Sequence, residues 1–383
     1  MAASFDMALI QRGARVRRSP YFEATQRSGC RRYTVYNHMF LPTCYDDLEA
    51  EYWKLLRDVT VWDVSVERQV EITGPDAFTF TNMLTPRDLG KCQVGQGKYV
   101  IITAADGGII NDPVLLRLGE NHFWLAVADS DVLLWAKGVA LNSGLDVKID
   151  EPDVSPMQIQ GPKSRQVVAE LFGDAVLDLG YYHFTETDLD GIPVVVTRTG
   201  WTGEVGYEIY LRDGSRGADL WDRVLEAGRA FDIAPTGPSD IRRIEAGILN
   251  YGIDITLDTN PFEVGLDWQV NLDQEADFIG RSALESIAAE GPQRRLVGIE
   301  IDGEPLDLNM TRWAAHMNGT KVGYVTSAIY SPRLEKNIGY VMLPTEQGEL
   351  GTQLTVTVDE GDERSAIVVP KPFVDPQKEI PKA

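Results

Sequence analysis

The chain has 383 residues, 43% of them hydrophobic, which suits a globular protein of two or three domains. Its 58 acidic residues outnumber its 36 basic residues and give a formal net charge of -22, which disfavours contact with phosphate backbones and anionic lipids. We therefore expect neither nucleic acid nor a membrane among its partners.

Cysteine usage and the N-terminal sequence favour a reducing compartment. Cys30, Cys44 and Cys92 have neither the even number of a disulfide framework nor the spacing of a zinc site, so no metal ligand is expected. The N-terminal segment is basic but has no apolar core of signal-peptide length, and nowhere do about 18 apolar residues follow one another. We expect a cytoplasmic protein.

Predicted strands and helices alternate in the first part of the chain. Residues 1–32 are basic and irregular and form an N-terminal extension. Apolar spacing behind an acidic start predicts an amphipathic helix over 46–60, and another helix is predicted over 78–84. The other elements predicted here are strands over 61–66, 70–72 and 122–127, a hairpin at Asp106-Gly107-Gly108 and a helix over 131–141.

A second unit of similar order begins near Val154. It has a strand, a helix over 164–171, a hairpin at Asp190-Gly191 and a helix over 218–231, which suggests an internal repeat of the first unit. From residue 294 onward, short strands with glycine turns predict a small all-β domain.

The helix between these units carries two adjacent arginines. Ser239 or Asp240 is its predicted cap and Gly252 its predicted stop. Arg242 and Arg243 cannot share one face, so we expect one to reach a ligand carboxylate and the other to pair at the surface.

A glycine-rich turn between two strand-like runs is the most informative stretch. The sequence RTGWTGEVGYEIY at 198–210 predicts a strand, a tight turn and a strand. Its three glycines would let the backbone approach a flat ligand, Trp201 offers a ring face, and Glu208 places a carboxylate on a rigid strand. Such a carboxylate suits the donor edge of an amino-pyrimidinone. On spacing alone, an ordinary hairpin explains the glycines equally well.

Two polar residues, Asn111 and Asp112, follow the hairpin at 106–108. Successive strand positions face opposite sides, so only one of the two can point into a given pocket. Asn111 could equally satisfy backbone groups, and Asp112 could be a cap or part of a turn ion pair. The chain has no dinucleotide-binding, P-loop, serine-esterase or zinc-protease motif, so those enzyme classes lose support.

Several motifs resemble the aminomethyltransferase, or glycine-cleavage T-protein, family over residues 33–376. They are Tyr99 followed by GGxxND at 107–112, IQGPKS at 159–164, TGWTGEVGYEI at 199–209, RIEAG at 243–247 and SxxxSP at 327–332. Within the family, the dimethylsulfoniopropionate demethylases are most similar at YTVYNHMFLP (33–42), WDVxxERQV (62–70), NDP (111–113) and ADSD (128–131).

The resemblance implies an α+β cloverleaf of three domains around a central channel for tetrahydrofolate. Two related α+β lobes would be interleaved over 33–288, a C-terminal β-barrel would occupy 294–376, and residues 377–383 would form a tail. The partners implied are tetrahydrofolate and a small-molecule methyl donor, and a homodimer is left open.

The resemblance also implies roles for single residues. Glu208 matches the glutamate that grips the pterin edge, and Arg243 matches an arginine near the folate. Trp201 and Tyr99 match tyrosines of the channel, and Tyr182 is a further expected contact of the folate.

One departure from the family pattern sets the expected reaction. T-proteins have an aspartate where this chain has Asn111, and an amide cannot exchange a proton near neutral pH. We therefore place Asn111 and Tyr99 at the catalytic centre, with Asn111 orienting the reactants. A sulfonium donor needs no acid, because the group that leaves the methyl carbon is a neutral thioether. The expected reaction is methyl transfer from dimethylsulfoniopropionate to N5 of tetrahydrofolate, giving methylmercaptopropionate.

Aromatic rings and a basic group would hold such a donor. Tyr36 and Trp201 are expected to face its cation, with Asp112 nearby, and Tyr181 and Tyr182 are further candidates. Its carboxylate would need a cation or backbone amides, and Arg68, Arg198 and Lys98 are equal candidates for the cation.

Other donors stay open because Thr202, Gly203 and Glu204 follow the T-protein pattern rather than the serine, lysine and glutamine of the demethylases. The alternatives are a methylated amine, a methoxy aromatic or an aminomethyl-lipoyl partner. A non-enzymatic folate-binding protein of iron–sulfur assembly is disfavoured, because the motif KGCYxGQE is replaced by EAGILNYGIDI at 245–255.

Overall fold

A computed structural model describes residues 13–383 of the chain. Its α-helices are α1 Phe22–Arg27, α2 Leu48–Arg57, α3 Ala77–Leu84, α4 Val132–Ser143, α5 Ser164–Phe172, α6 Gly217–Gly228, α7 Asp240–Glu245, α8 Pro261–Val264 and α9 Arg281–Glu290. Its first strands are β1 Arg32–Tyr36, β2 Met39–Cys44, β3 Val59–Asp63, β4 Gln69–Thr73, β5 Gln96–Tyr99, β6 Ile102–Thr103, β7 Ile109–Asn111, β8 Val114–Gly119, β9 His122–Ala126 and β10 Lys148–Asp150. The remaining strands are β11 Ser155–Gln160, β12 Phe184–Leu189, β13 Ile192–Thr197, β14 Gly206–Leu211, β15 Ile233–Pro235, β16 Arg294–Ile301, β17 Trp313–Met317, β18 Thr320–Ser331, β19 Lys336–Pro344, β20 Gln353–Thr357 and β21 Glu363–Val369.

Two sheets and a closed barrel organise these elements. One sheet has the order β10-β4-β9-β8-β5, and its core includes residues of α3 and α4. The other has the order β12-β13-β14-β11-β3-β15, and its core includes residues of α5 and α6. Because β3 belongs to the second sheet although it precedes the strands of the first, the two lobes are interleaved along the chain. Strands β16 to β21 close the barrel in the order β16-β19-β18-β17-β20-β21.

The two lobes share one strand-to-helix turn. In each lobe a strand ends in a Gly-Pro pair that leads into a helix, β4 into α3 and β11 into α5. Gly74 and Gly161, at these two turns, have φ of +120° and +119°. A Cβ on either glycine would lie within 2.7 Å of a backbone oxygen, so the same tight approach requires glycine in both lobes. This equivalence supports the predicted repeat.

Two predictions about helices need correction. Residues 22–27, predicted to be irregular, form α1, because Phe22 and Ala24 are buried and the neighbouring Tyr21 ring packs 6.1 Å from that of Trp221. Residues 1–12 of the predicted extension lie outside the described residues. Helix α7 ends at Glu245 rather than at Gly252, because Gly247 already takes a left-handed conformation with φ +70°.

Helix α7 joins the lobes to the barrel. The Ser239 side chain caps it by accepting from the Arg242 amide at 3.3 Å, as the sequence predicts. From the barrel, the Tyr340 hydroxyl donates to the Ile244 carbonyl at 2.9 Å. Asp254 accepts from the Ser327 hydroxyl at 2.7 Å, which adds a second link between the barrel and the segment after α7. Over residues 13–383, no helix combines the length and apolar character needed to cross a membrane.

Candidate functional site

A row of polar side chains crosses the six-stranded sheet beside Glu208. Trp62 on β3 is paired in register with Gln158 on β11, Gln158 with Glu208 on β14, and Glu208 with Thr197 on β13. Partners in register project to the same face. The alternate residues of these strands form the apolar core with α5 and α6, so this polar row faces the interior of the molecule.

The Glu208 carboxylate is buried and held by several donors. Thr199 and Tyr210 donate to Oε2 at 2.6 and 2.9 Å, and Gln158 Nε2 donates to Oε1 at 2.7 Å. Burial raises the pKa of Glu208, while these hydrogen bonds act in the opposite direction. Oε1 has one acceptor site left, because a carboxylate oxygen accepts two hydrogen bonds and only Gln158 uses it.

Two atoms of this row have no hydrogen-bond partner. Trp62 Nε1, a donor, and Gln158 Oε1, an acceptor, are both buried and unpaired among residues 13–383. Buried polar groups are rarely left in this state unless a ligand or water satisfies them. The row therefore offers an acceptor on Glu208, a donor on Trp62 and an acceptor on Gln158, which is the complement of a flat heterocycle with both kinds of group.

Two glycines of the 198–210 turn, Gly200 and Gly206, pack against a buried side chain of the protein. A Cβ on Gly200 would lie 2.1 Å from Gln160 Oε1, and one on Gly206 would lie 2.3 Å from the same side chain. Gln160 is buried between them, accepts from the Thr202 hydroxyl at 2.7 Å and donates to the Thr199 carbonyl at 3.2 Å. Gly200 and Gly206 therefore make room for a buried glutamine that fixes the turn, whereas a Cβ on Gly203 would lie 2.7 Å from that of Ala246.

Trp201 and Arg243 lie together, but Arg243 is not free to bind a ligand carboxylate. Its guanidinium lies 5.8 Å from the centroid of the Trp201 ring. It donates to the half-buried Asp240 at 2.7 Å, and to the buried Asp254 at 2.9 Å and the buried Ser327 hydroxyl at 3.0 Å. Arg243 therefore acts mainly through the position of Trp201 and of the barrel.

Arg242 does not pair at the surface as predicted. Its side chain is fully buried and donates to the Glu204 carboxylate at 2.8 Å. Glu204 and Thr202, which follow the T-protein pattern, thus bond to Arg242 and Gln160 and serve the local fold. They carry little information on the donor.

Asn111 faces away from the pocket that Asp112 faces. Its Nδ2 donates to the Ala128 carbonyl at 3.1 Å and to the Ser130 hydroxyl at 2.8 Å, and its Oδ1 accepts from the Ala128 amide at 3.0 Å. The side chain is fully buried, and both of its amide hydrogens are used. Of the two interpretations of Asn111, the structure supports the one in which the amide satisfies backbone groups.

Six side chains form a cluster around one internal recess, which we call the channel cluster: Tyr36, Glu67, Tyr99, Asp112, Tyr182 and Glu208. All but Glu208 are half-buried, and burial raises the pKa of every one, from which we infer that their open surface faces a recess within the protein. Their charges also influence one another: Asp112 acts on the tyrosines and on Glu67, and Glu208 acts on Glu67 and Tyr182.

Asp112 is a carboxyl of this cluster whose pKa lies near neutral pH. Burial raises its pKa to about 7, although the Tyr99 hydroxyl, which donates to Oδ2 at 2.9 Å, favours the ionised form. The recess therefore contains an acidic group, although position 111 is an amide.

Arg68 is excluded as the partner of a donor carboxylate. Its Nε donates to Glu151 at 2.9 Å, and its Nη2 also contacts that carboxylate. Arg198 donates to the Leu179 carbonyl at 3.1 Å. Tyr181 packs edge-on against Tyr182, with ring centroids 4.8 Å apart, and so supports the recess.

Family models match most of this chain. The GCVT N-terminal domain matches residues 21–274, and the glycine cleavage T-protein C-terminal barrel domain matches residues 294–375. The chain belongs to the glycine-cleavage T-protein (aminomethyltransferase) family. Tetrahydrofolate is the cosubstrate of this family.

Relatives of this T-protein family member include two kinds of enzyme. It is 38% identical to the dimethylsulfoniopropionate demethylase of Ruegeria pomeroyi, over 93% of this chain and 97% of the relative. It is 31% identical to an aminomethyltransferase of Thermotoga maritima, over 94% of this chain and 98% of the relative. The aminomethyltransferase T of Bartonella henselae superposes with a TM-score of 0.84 at 24% identity, covering 94% of this chain and 98% of that one. The predicted α+β fold with its C-terminal β-barrel is thus confirmed.

Residues that the sequence analysis missed belong to the same T-protein site. Glu67 lies in the WDVxxERQV segment at 62–70. Trp62 belongs to that segment too, and Gln158 lies in the strand MQIQG. In that strand amides alternate with apolar residues, a pattern that predicts a polar face.

Proposed function

We propose that the protein transfers a methyl group from a sulfonium donor, dimethylsulfoniopropionate, to N5 of tetrahydrofolate. The bond between sulfur and the methyl carbon breaks, and its electron pair stays on sulfur, giving methylmercaptopropionate. A bond from N5 to the methyl carbon forms from the N5 lone pair, and the N5 proton then leaves to a base or to water. The transfer is redox-neutral.

The observation that carries the folate part of this proposal is the polar row beside Glu208. A reduced pterin has an edge with an amino group and a ring N–H, and it also has a carbonyl oxygen. Glu208 Oε1 has a free acceptor site for the amino edge, and Trp62 Nε1 and Gln158 Oε1 are an unpaired donor and acceptor on the same face. The residues present therefore fit the pterin, and Glu208 would hold it from a strand.

The sulfonium part of the proposal is supported by the relative from Ruegeria pomeroyi, whose name states this donor. The channel cluster adds a physical reason, because three carboxyls and three phenol rings around one recess suit a cation better than a neutral donor. Holding donor and acceptor in line within this recess removes translational and rotational freedom, which can lower the barrier by about 7 kcal/mol or more.

Each residue of the recess has a proposed role. Tyr99 and Asp112 form a hydrogen-bonded pair that can hold or release a proton near neutral pH. Trp201, positioned by Arg243, and Tyr182 would pack against the folate, and Tyr36 would face the donor. The proposal also includes two predictions from the sequence. These are folate-binding lobes over residues 33–288 with a barrel over 294–376, and a cytoplasmic location.

An aminomethyltransferase or amine demethylase is the second candidate. Its donor nitrogen must be protonated as it leaves, and Asp112 supplies a carboxyl with a pKa of about 7 in the recess. Several aminomethyltransferases are about as similar as the one from Bacillus subtilis, which is 30% identical over 354 residues.

Turnover by the purified protein separates these candidates. With tetrahydrofolate and dimethylsulfoniopropionate, we expect 5-methyltetrahydrofolate and methylmercaptopropionate in equal amounts, measured by chromatography with mass detection. If neither product forms while dimethylglycine or an aminomethyl-lipoyl partner is consumed, the sulfonium proposal is wrong and the second candidate replaces it.

A further inference from the structure

Glu67 sits in a short turn whose backbone is fixed. The turn joins β3 to β4, and the Glu67 amide donates to the Val64 carbonyl at 2.9 Å. Asn37 Nδ2 donates to the Val66 carbonyl at 2.9 Å and to the Val127 carbonyl at 3.1 Å, tying the turn to the end of β9. Because the turn is held from both sides, the fold fixes the position of the Glu67 backbone.

The Glu67 side chain faces other carboxyls and no cation. Burial raises the pKa of Glu67, and the charges of Glu208 and Asp112 raise it further. Within residues 13–383 its carboxylate has no ion pair and accepts no hydrogen bond, and the neighbouring Arg68 is turned away to Glu151. No set of His, Cys, Asp and Glu side chains in the described chain has the arrangement of a metal site, so these carboxyls are not spaced to share a metal ion.

Phenol rings complete the surroundings of Glu67. Tyr36 packs against the cluster that contains Val66, the residue before Glu67. The charges of Asp112 and Glu67 help to raise the pKa of Tyr36, and Glu67 also acts on the pKa of Tyr210, which donates to Glu208 at 2.9 Å. An unpaired acid beside a ring and two further carboxyls is unfavourable unless protons or a cation neutralise part of the charge. A permanent cation with methyl groups suits a pocket that combines a ring with a carboxylate.

We propose that Glu67 is the residue that selects a cationic methyl donor, its carboxylate acting as the counter-charge of the sulfonium beside the Tyr36 ring. This inference rests on the proposed function for the identity of the donor.

Binding experiments test this role without turnover. 4-Methylpentanoate has the shape of dimethylsulfoniopropionate with a neutral carbon in place of sulfur. By calorimetry, the unaltered protein should bind the sulfonium at least about tenfold more tightly than this isostere, since the two differ only in one charge. Glu67→Gln should abolish most of that preference, while Glu67→Asp, which keeps the charge, should retain part of it.

The number of protons released on binding is a second measurement, and Glu67→Gln would not change it if Glu67 had a purely structural role. A cation that neutralises the carboxyl cluster should displace protons shared by Glu67, Asp112 and Glu208, with the phenols of Tyr36 and Tyr210 remaining neutral. Calorimetry in buffers of different ionisation enthalpy should show this release in the unaltered protein and less of it in Glu67→Gln. Glu71→Gln is the matched control, because Glu71 lies on β4 but binds His122 and Trp124, at 2.8 and 2.9 Å.

The outcomes distinguish this inference from the proposed function. If the protein demethylates dimethylsulfoniopropionate but Glu67→Gln keeps the full preference for the sulfonium over 4-methylpentanoate, the role of Glu67 is refuted and the proposed function stands. If the sulfonium binds in a Glu67-dependent manner but no methyl is transferred, the role stands and the proposed function fails. If the unaltered protein does not prefer the cation, the role is refuted as well.

Discussion

Replacing Glu208 by glutamine should weaken folate binding and leave the fold intact. Gln158 Nε2 donates to Oε1 at 2.7 Å, while Thr199 and Tyr210 donate to Oε2. Glutamine keeps the size of the side chain, and the two hydroxyls can turn to accept from an amide. What the variant loses is the negative charge at the acceptor site that would receive the pterin edge.

The size of the effect follows from that one hydrogen bond. A hydrogen bond to a charged group contributes about 1.5 to 3 kcal/mol, so the Kd for 5-methyltetrahydrofolate should rise about 10- to 150-fold. The pH dependence gives a second check. Burial raises the pKa of Glu208, and only the anion accepts two hydrogen bonds on each oxygen, so folate binding by the unaltered protein should weaken as pH falls through that pKa. The glutamine variant should lack this dependence.

Titration calorimetry with 5-methyltetrahydrofolate, repeated from mildly alkaline to mildly acidic pH, measures both effects. Glu186→Gln serves as a control, because Glu186 lies on β12 of the same sheet and pairs with Arg212 at the surface. The reasoning is refuted if Glu208→Gln binds folate as tightly as the unaltered protein while its melting temperature is unchanged.

Three further predictions concern other residues. Asn111→Asp should lower the free energy of unfolding by about 3 kcal/mol or more, because it replaces two donated hydrogen bonds by a buried charge, and it should not raise sulfonium turnover; a large gain in turnover would restore a catalytic role for this position. Gly200→Ala should cost about 1 to 3 kcal/mol through its clash with Gln160, whereas Gly138→Ala, in a helix with open space around it, should be neutral or stabilising; equal melting temperatures would contradict this. The pKa of Asp112 is raised to about 7, so the folded state loses stability as pH rises from the pKa of the unfolded chain to about 7. Asp112→Asn removes this effect and should raise the melting temperature more above pH 7 than in acid. A shift of the melting temperature that is the same at every pH would argue against the raised pKa.

The sequence predicted the fold well because its signals are local. The Asp47 side chain caps α2 by accepting from the amides of Glu49 and Ala50, and Asp190-Gly191 joins β12 to β13 as expected. The end of α7 was misplaced, because Gly247 and Gly252 are equally good stops in sequence and only the packing of the barrel chooses between them. Helix α1 was not predicted for a similar reason. Its segment is buried by contacts with Trp221 and Phe40, which lie outside it in the sequence.

The site was only partly predictable, because side-chain partners are set by tertiary contacts. Alternation along a strand correctly separated Asn111 from Asp112, but it could not tell which of them faces the recess. The glycines around Trp201 were assigned to a ligand because nothing in the sequence places Gln160 between them. Arg68 lost its proposed role to Glu151, which lies 83 positions away in the chain.

The position of the pterin ring in a crystal structure with bound 5-methyltetrahydrofolate tests the central claim most directly. The account predicts the amino edge of the ring within hydrogen-bonding distance of Glu208 Oε1, with Trp62 Nε1 and Gln158 Oε1 no longer unpaired. A folate bound elsewhere, with the row beside Glu208 unchanged, would contradict it.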